Sequence, residues 1–382
     1  MASSRKIHVG PVAVGAGAPV VVQSMTCTRT GDAAATLAQV HALAAAGCEI
    51  VRVSLPTASE APAFAQVVER APVPIIADIH FDWRLALAAI VAGAQGVRIN
   101  PGTIGEKHVR EIVRAAAEAR VSRAPAGRVT AATESTVGAP GPVAIRIGVN
   151  QGSLPRKLRN LGEREPARAL VEAALTYAAQ FDDWGFTAYK LSVKSSSVPV
   201  TIAAYRELAH RSEAPLHIGV TEAGTLRGGA IKSAVGIGAL LAAGIGDTLR
   251  VSLTGDPVAE VRVAWQILAA LDLRQRGPTL VSCPTCGRTE VDIVGIANEV
   301  EGRLRAYTLP FSVAVMGCRV NGPEEARHAD FGIAAGAGEG VLFAHGRRVR
   351  AVPEDELLGA LFALIAAEHD SANSRESAGE RG

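Results

Sequence analysis

Short β-branched runs alternate with Ala- and Leu-rich stretches of helical length through the first two-thirds of the chain, and this alternation limits the fold most. The runs fall at residues 20–23, 50–54, 74–79, 96–99, 143–149, 187–193, 216–220 and 248–252; the longer stretches between them include 34–46, 167–180 and 258–270. A β-branched run of that length reads as a buried parallel strand, and the longer apolar stretches read as helices covering it. Eight such units in roughly 250 residues match a (β/α)8 TIM-type barrel in count and size. An open doubly wound sheet is the competing fold, but its Gly-rich dinucleotide fingerprint is absent.

The rhythm breaks twice. Residues 121–141 are Ala, Pro, Gly, Thr and Ser with few large apolar side chains, and read as an inserted loop. Arg274-Gln275-Arg276-Gly277-Pro278 is a second break. A chain of 382 residues is too long for one ordinary core. The expected domains are therefore a barrel over 1–272, a smaller α+β domain over 273–370, and a disordered polar tail over 371–382. The second domain should hold a helix near 291–305, strands near 311–316 and 331–335, a hairpin around His345-Gly346 and a last helix opened by Pro353.

A net charge of +2 and the lack of a basic run interleaved with aromatics argue against nucleic-acid binding. The N-terminus lacks an apolar signal segment, and the most apolar long stretch, 233–246, is too short to span a bilayer. Cytoplasmic placement is expected, with no membrane partner. Thiols stay reduced there, so Cys27 and Cys48 need no disulfide.

Three of the five cysteines lie close together late in the chain. Cys283-Pro-Thr-Cys286 lets one tight turn bring two sulfurs to a metal centre. Cys318 follows an apolar run and arrives from a second direction. Three thiolates with a nearby carboxylate suit zinc or an iron–sulfur cluster, and a structural thiol pair is the third reading. Glu324, Glu325 and His328 are the nearby candidates for a fourth ligand.

In a barrel, chemistry sits at the C-terminal ends of the strands. Those ends carry Arg52, Arg98, Arg146, Lys194 and Arg250, together with Asn100, Asn150 and Ser252. Such a set of cations repels itself unless an anion sits between its members. Arginine forks grip phosphate oxygens in pairs, and a diphosphate matches this set better than one carboxylate. Asp78, His80 and Glu222 are the candidates for proton transfer, since a carboxyl beside a dry mouth can have a raised pKa, with orientation of a neighbouring arginine as the equal alternative for Asp78. His217 reads as packing or hydrogen-bonding.

The strings Cys283-Pro-Thr-Cys286-Gly and Val-Met-Gly-Cys318-x-Val-Asn321-Gly-Pro resemble the 4-hydroxy-3-methylbut-2-en-1-yl diphosphate synthases. So do Gln23-Ser24-Met25-Thr26, Ala-Asp78-Ile-His80, Arg98-Ile-Asn100-Pro-Gly, Arg146-Ile-Gly-Val-Asn150, Ser-Val-Lys194, Thr221-Glu222-Ala-Gly and Arg250-Val-Ser252. The resemblance runs from about Arg5 to the mid-330s. It implies reductive ring opening of 2-C-methyl-D-erythritol 2,4-cyclodiphosphate in non-mevalonate isoprenoid synthesis. Electrons would come from reduced flavodoxin or ferredoxin through a 4Fe-4S cluster, in a homodimer whose chains share sites. Carried over, Cys283, Cys286, Cys318 and Glu325 hold the cluster, the cations and Asn100, Asn150 and Ser252 bind substrate, and Glu222 is the acid. Cys27 and Thr103 stand where the family commonly has asparagine, and Glu324 where it has glycine. A non-redox barrel lyase or transferase with a structural zinc is the competing function.

Overall fold

In the computed structural model, residues 3–121, 140–318 and 320–379 are described. The chain divides into two compact units, Met1–Arg274 and Gln275–Gly382.

The first unit opens with a hairpin, β1 (Ile7–Val9) and β2 (Val12–Val14). Eight parallel strands follow: β3 (Val21–Met25), β4 (Ile50–Ser54), β5 (Ile75–Asp78), β6 (Gly96–Ile99), β7 (Ala144–Asn150), β8 (Tyr189–Lys194), β9 (His217–Ile218) and β10 (Thr248–Leu249). They pair in the order β8-β7-β6-β5-β4-β3-β10-β9. A parallel Leu191–Leu216 bridge joins the two ends, so the sheet closes into the expected (β/α)8 barrel. Four of the longer barrel helices begin where the sequence supplies a side-chain cap. The side chains of Asp32, Asp82, Ser197 and Asp256 accept N–H groups in the first turns of Ala33–Ala45, Trp83–Val91, Val198–Arg211 and Pro257–Ala269.

Strand alternation sorts the side chains. Val51, Val53, Val97, Ile99, Ile145, Ile147, Leu191 and Val193 face the helices and join one core. Each such buried side chain contributes about 1.5–3 kcal/mol. The residues between them face the barrel axis, and these are Arg52, Arg98, Arg146, Lys190 and Lys194. The hairpin was not expected as such. Its Ile7, Val9 and Val14 pack on Val21, Ile50, Ile76 and Ala144 at the starts of the strands, covering the barrel's base.

Arg274 belongs to the barrel unit. Its guanidinium forks onto Glu49 at 2.8 and 2.9 Å and lies 4.8 Å over the Trp265 ring. The expected insertion lies almost wholly outside the described residues. At its ends Val121 and Gly141 exchange backbone hydrogen bonds of 2.9 and 3.1 Å.

The second unit is a five-stranded sheet in sequence order: β11 (Thr279–Ser282), β12 (Ser312–Met316), β13 (Phe331–Gly336), β14 (Glu339–Ala344) and β15 (Arg347–Pro353). The first three are parallel and the last two antiparallel. Both faces are covered. Val313 and Val315 join a core with helices Ile293–Leu304 and Leu357–Gly379, while Ala314 and Met316 pack with Ala326 and Ala329 on the other side. His345 and Gly346 both have positive φ, +46° and +77°, as a two-residue hairpin turn requires. The last helix continues to Gly379, through most of the stretch expected as a disordered tail. That stretch holds no proline, and a helix already nucleated extends at little cost.

Candidate active site

Strand register lays the interior charges in a row. Asp78 on β5 pairs with Arg98 on β6, Arg98 with Arg146 on β7, and Arg146 with Lys190 on β8. Arg98, Arg146, Lys190 and Lys194 are all buried. Arg52 stands 3.8 Å and Arg98 3.6 Å from the Asp78 carboxylate, and His80 Nε2 lies 3.2 Å from it. Arg250 forks onto the buried Glu260 at 3.2 Å on both oxygens. Glu260 also accepts from the Ser24 hydroxyl at 2.9 Å and the Leu253 N–H at 3.0 Å. Met25 offers its sulfur to Arg52 at 2.8 Å and to Arg250 at 3.6 Å.

The interior cations outnumber Asp78 and Glu260. Buried Arg98 Nε, Arg146 Nε and Arg146 NH1 find no hydrogen-bond partner among the described residues. Buried donors left unpaired are costly, and a site that keeps several is built for an acceptor brought from outside. Burial depresses Arg52 to about 10 despite Asp78. Burial together with neighbouring cations holds Arg146 and Lys194 far below their usual values and lowers Lys190 to about 7. Each of these shifts is relieved by an anion.

Asp78 corrects an expectation. Burial pushes its carboxyl up, but Arg52, the His80 hydrogen bond, Arg98 and Arg146 outweigh burial and hold it well below the usual carboxylate range. Asp78 is therefore ionised and cannot donate a proton. It aligns the arginines.

A cavity of about 540 Å³ opens above this row, lined by Asn150, Gln151, Gly152, Lys194, Ser195, Ser196, Thr221 and Glu222. Glu222 is exposed, on backbone with φ +53°. A non-glycine residue held there is uncommon and marks a constrained turn. His80 is exposed beside Asp78. Asn100 is buried and caps helix Pro101–Ile104 by accepting the Gly102 N–H at 3.1 Å. Ser252 is half-buried just past β10.

Sequence reasoning missed Lys190, Glu260, Met25 and Gly148. Lys190 and Gly148 were legible from alternation, since Gly148 lies two residues after Arg146 and Lys190 four before Lys194, both on an inward face. A Cβ on Gly148 would stand 2.7 Å from Arg98 Nε, so that glycine makes room for the guanidinium.

In the second unit, Cys283 follows β11 and Cys318 lies two residues beyond β12. Cys283 Sγ accepts the Gly317 N–H at 3.3 Å. The backbone N–H groups of Asn321 and Val320 lower the Cys318 thiol, and the backbone and side chain of Arg288 lower Cys286. Glu325 is exposed on helix Gly322–Ala326, while Glu324 pairs with Arg327 at 3.2 Å. Among the described residues no three His, Cys, Asp or Glu side chains gather as a single-ion shell. The expected four-ligand set is thus not drawn to one point: Cys286 sits on an exposed loop, Cys283 and Cys318 follow strand ends, and Glu325 is on a helix. The donor chemistry still fits a polynuclear cluster. The thiols follow two neighbouring parallel strands, and N–H groups aimed at sulfur are a means of tuning such clusters.

The GcpE TIM-barrel domain family matches residues 4–265, and the GcpE protein C-terminal domain family matches 279–367. The chain belongs to the GcpE family. A relative from Geobacter sulfurreducens, called 4-hydroxy-3-methylbut-2-en-1-yl diphosphate synthase (flavodoxin), is 53% identical over 95% of this chain and 97% of its own. The same name is carried by a relative from Maridesulfovibrio salexigens, 50% identical over 93% of each chain. A GcpE relative from Streptomyces coelicolor, named 4-hydroxy-3-methylbut-2-en-1-yl diphosphate synthase (flavodoxin) 1, is 49% identical over 94% of this chain and 88% of its own. The resemblance read from the motifs is borne out. A non-redox lyase or transferase is not favoured. Among the described residues no helix is long and apolar enough to cross a membrane.

Proposed function

We propose that the chain converts 2-C-methyl-D-erythritol 2,4-cyclodiphosphate to (E)-4-hydroxy-3-methylbut-2-enyl diphosphate, in non-mevalonate isoprenoid synthesis in the cytoplasm. The observation that carries this reading is the buried cation row with unpaired N–H groups, which suits a diphosphate. GcpE membership and the relatives' names support it. Arg52, Arg98, Arg146, Lys194 and Arg250 bind the diphosphate, with Asn100, Asn150 and Ser252 on the remaining polar groups. Opening the ring frees a phosphate oxygen that gains charge. Cations already fixed in a dry site stabilise that charge without reorganising. Glu222, at the cavity lip, donates the proton that lets the departing oxygen leave as water. Asp78, braced by His80, keeps the arginines in place.

A 4Fe-4S cluster on Cys283, Cys286, Cys318 and Glu325 would supply the two electrons one at a time. Reduced flavodoxin is the donor that the relatives' names support, and ferredoxin is the alternative. Anaerobically purified protein should be brown, carry about four irons per chain, and turn over the cyclodiphosphate with at least one donor. Colourless protein holding stoichiometric zinc, with no turnover, would sink the reading.

Glu325→Ala should keep part of the iron but lose activity, because a carboxylate is the exchangeable ligand. Glu324→Gly should be nearly silent, since it removes only an exposed ion pair. Iron content and turnover of both variants decide between them, and the reverse pattern moves the ligand to Glu324.

A homodimer with shared sites accompanies this reading. The cation row lies in Met1–Arg274 and the thiols in Gln275–Gly382. Mixing a Glu222→Gln chain with a Cys318→Ser chain should restore activity to the mixed dimer. No recovery after subunit exchange counts against shared sites.

A further inference from the structure

The barrel interior holds a histidine that the chemistry above does not use. His217 on β9 has no exposed surface and stands in register with Thr248 of β10. Its Nδ1 lies 2.7 Å from Thr248 Oγ1, and its Nε2 lies 3.1 Å from Lys194 Nζ. The backbones on both sides are pinned: the buried Tyr205 hydroxyl donates to the His217 carbonyl and accepts the Val193 N–H. A Cβ on Gly219 would stand 2.8 Å from Lys194 Nζ, so the ammonium sits where only glycine leaves room.

We propose that His217 and Thr248 are positioning residues that aim the Lys194 ammonium at the bound diphosphate. The proposal rests on the anion-site reading of the barrel. A charged ammonium has three donors and no acceptor, so His217 Nε2 must meet it with a bare lone pair. The single proton of the neutral ring then sits on Nδ1 and is donated to Thr248 Oγ1. Lys190 Nζ approaches the same oxygen at 3.5 Å, and in its protonated form it too donates. The Thr248 hydroxyl thus acts as an acceptor toward both groups and selects the tautomer that Lys194 needs. One ammonium donor is tied to His217, and the other two are left for the cavity that Lys194 lines. Burial and Lys194 keep the imidazole neutral, so it adds no repelling charge.

Thr248→Val keeps the shape and removes the acceptor, while Thr248→Ser restores the acceptor. Inorganic pyrophosphate titrated calorimetrically into anaerobically prepared protein is the probe. Thr248→Val should bind it about tenfold more weakly, about 1.4 kcal/mol. It should raise the cyclodiphosphate KM by a similar factor with kcat within about twofold, the mark of lost uniform binding. Thr248→Ser should stay within about twofold of wild type. In the wild-type pyrophosphate complex, imidazole 15N shifts should show His217 protonated at Nδ1 and bare at Nε2, a readout independent of any variant's folding. Wild-type affinity in Thr248→Val, equal weakening in both variants, or the opposite tautomer would overturn the proposal. Wild-type protein that does not bind pyrophosphate would instead overturn the anion-site reading, and this proposal with it.

Discussion

Asp78→Asn should destabilise the ligand-free protein by about 3–5 kcal/mol, the usual cost of removing one partner from a buried charge set. The carboxylate is 4% exposed and faces Arg52 at 3.8 Å and Arg98 at 3.6 Å. Asparagine fills the same space but leaves those guanidinium groups without their counter-charge. A diphosphate would replace the lost charge. Pyrophosphate should therefore raise the thermal midpoint of the variant more than that of wild type. Because the folded-state pKa of Asp78 is depressed, its contribution is present above the unfolded carboxyl value of about 4. It is lost as pH falls through the lower folded value. The stability gap between wild type and variant should thus close in acid. Equal midpoints at neutral pH, with and without pyrophosphate, would remove Asp78 from this role.

Gly148→Ala should lower kcat/KM by about a hundredfold, the scale expected when a positioned group moves by an ångström. The new methyl would stand 2.7 Å from Arg98 Nε and 3.1 Å from its NH2, and Arg98 is itself buried. Gly148 sits in strand β7, where alanine suits the backbone, so the barrel should persist while the guanidinium shifts. Gly238→Ala, on helix Leu226–Leu241 and outside the cavity lining, is the control: a Cβ there meets nothing within 4 Å. Steady-state kinetics, iron content and melting should separate the two. Unchanged kinetics in Gly148→Ala would show that Arg98 tolerates displacement.

Much of this site was legible because strand alternation has a period of two. Once β6 and β7 were placed, Arg98 and Arg146 had to face inward together, and one line of sequence sufficed. Glu260 was illegible because the sequence does not show which way its helix turns it, although Arg250 and Leu253 lie only ten and seven positions away. It reaches Ser24 across 236 positions and arrives from a helix whose rotation only packing decides. The protonation of Asp78 was not legible because burial alone raises a carboxyl, and the sign turns on how many arginines converge on it. The hairpin was not legible, since two three-residue strands around Gly10-Pro11 leave too short a pattern to count. The thiols were legible by spacing, but their separation in space was not, because it depends on where two strands and a loop end.

That hairpin makes the barrel a vessel with one door. Ile7, Val9 and Val14 stopper the base with apolar side chains. With the base packed, substrate, product and the water released between them are expected to use the same mouth at the C-terminal ends of the strands. Nothing can be flushed through, so traffic is strictly in turn. A product that retains its diphosphate leaves against the pull of the cations that drew the substrate in. Departure rather than bond breaking then becomes the natural bottleneck, and accumulated product should occupy the doorway in direct competition with fresh substrate.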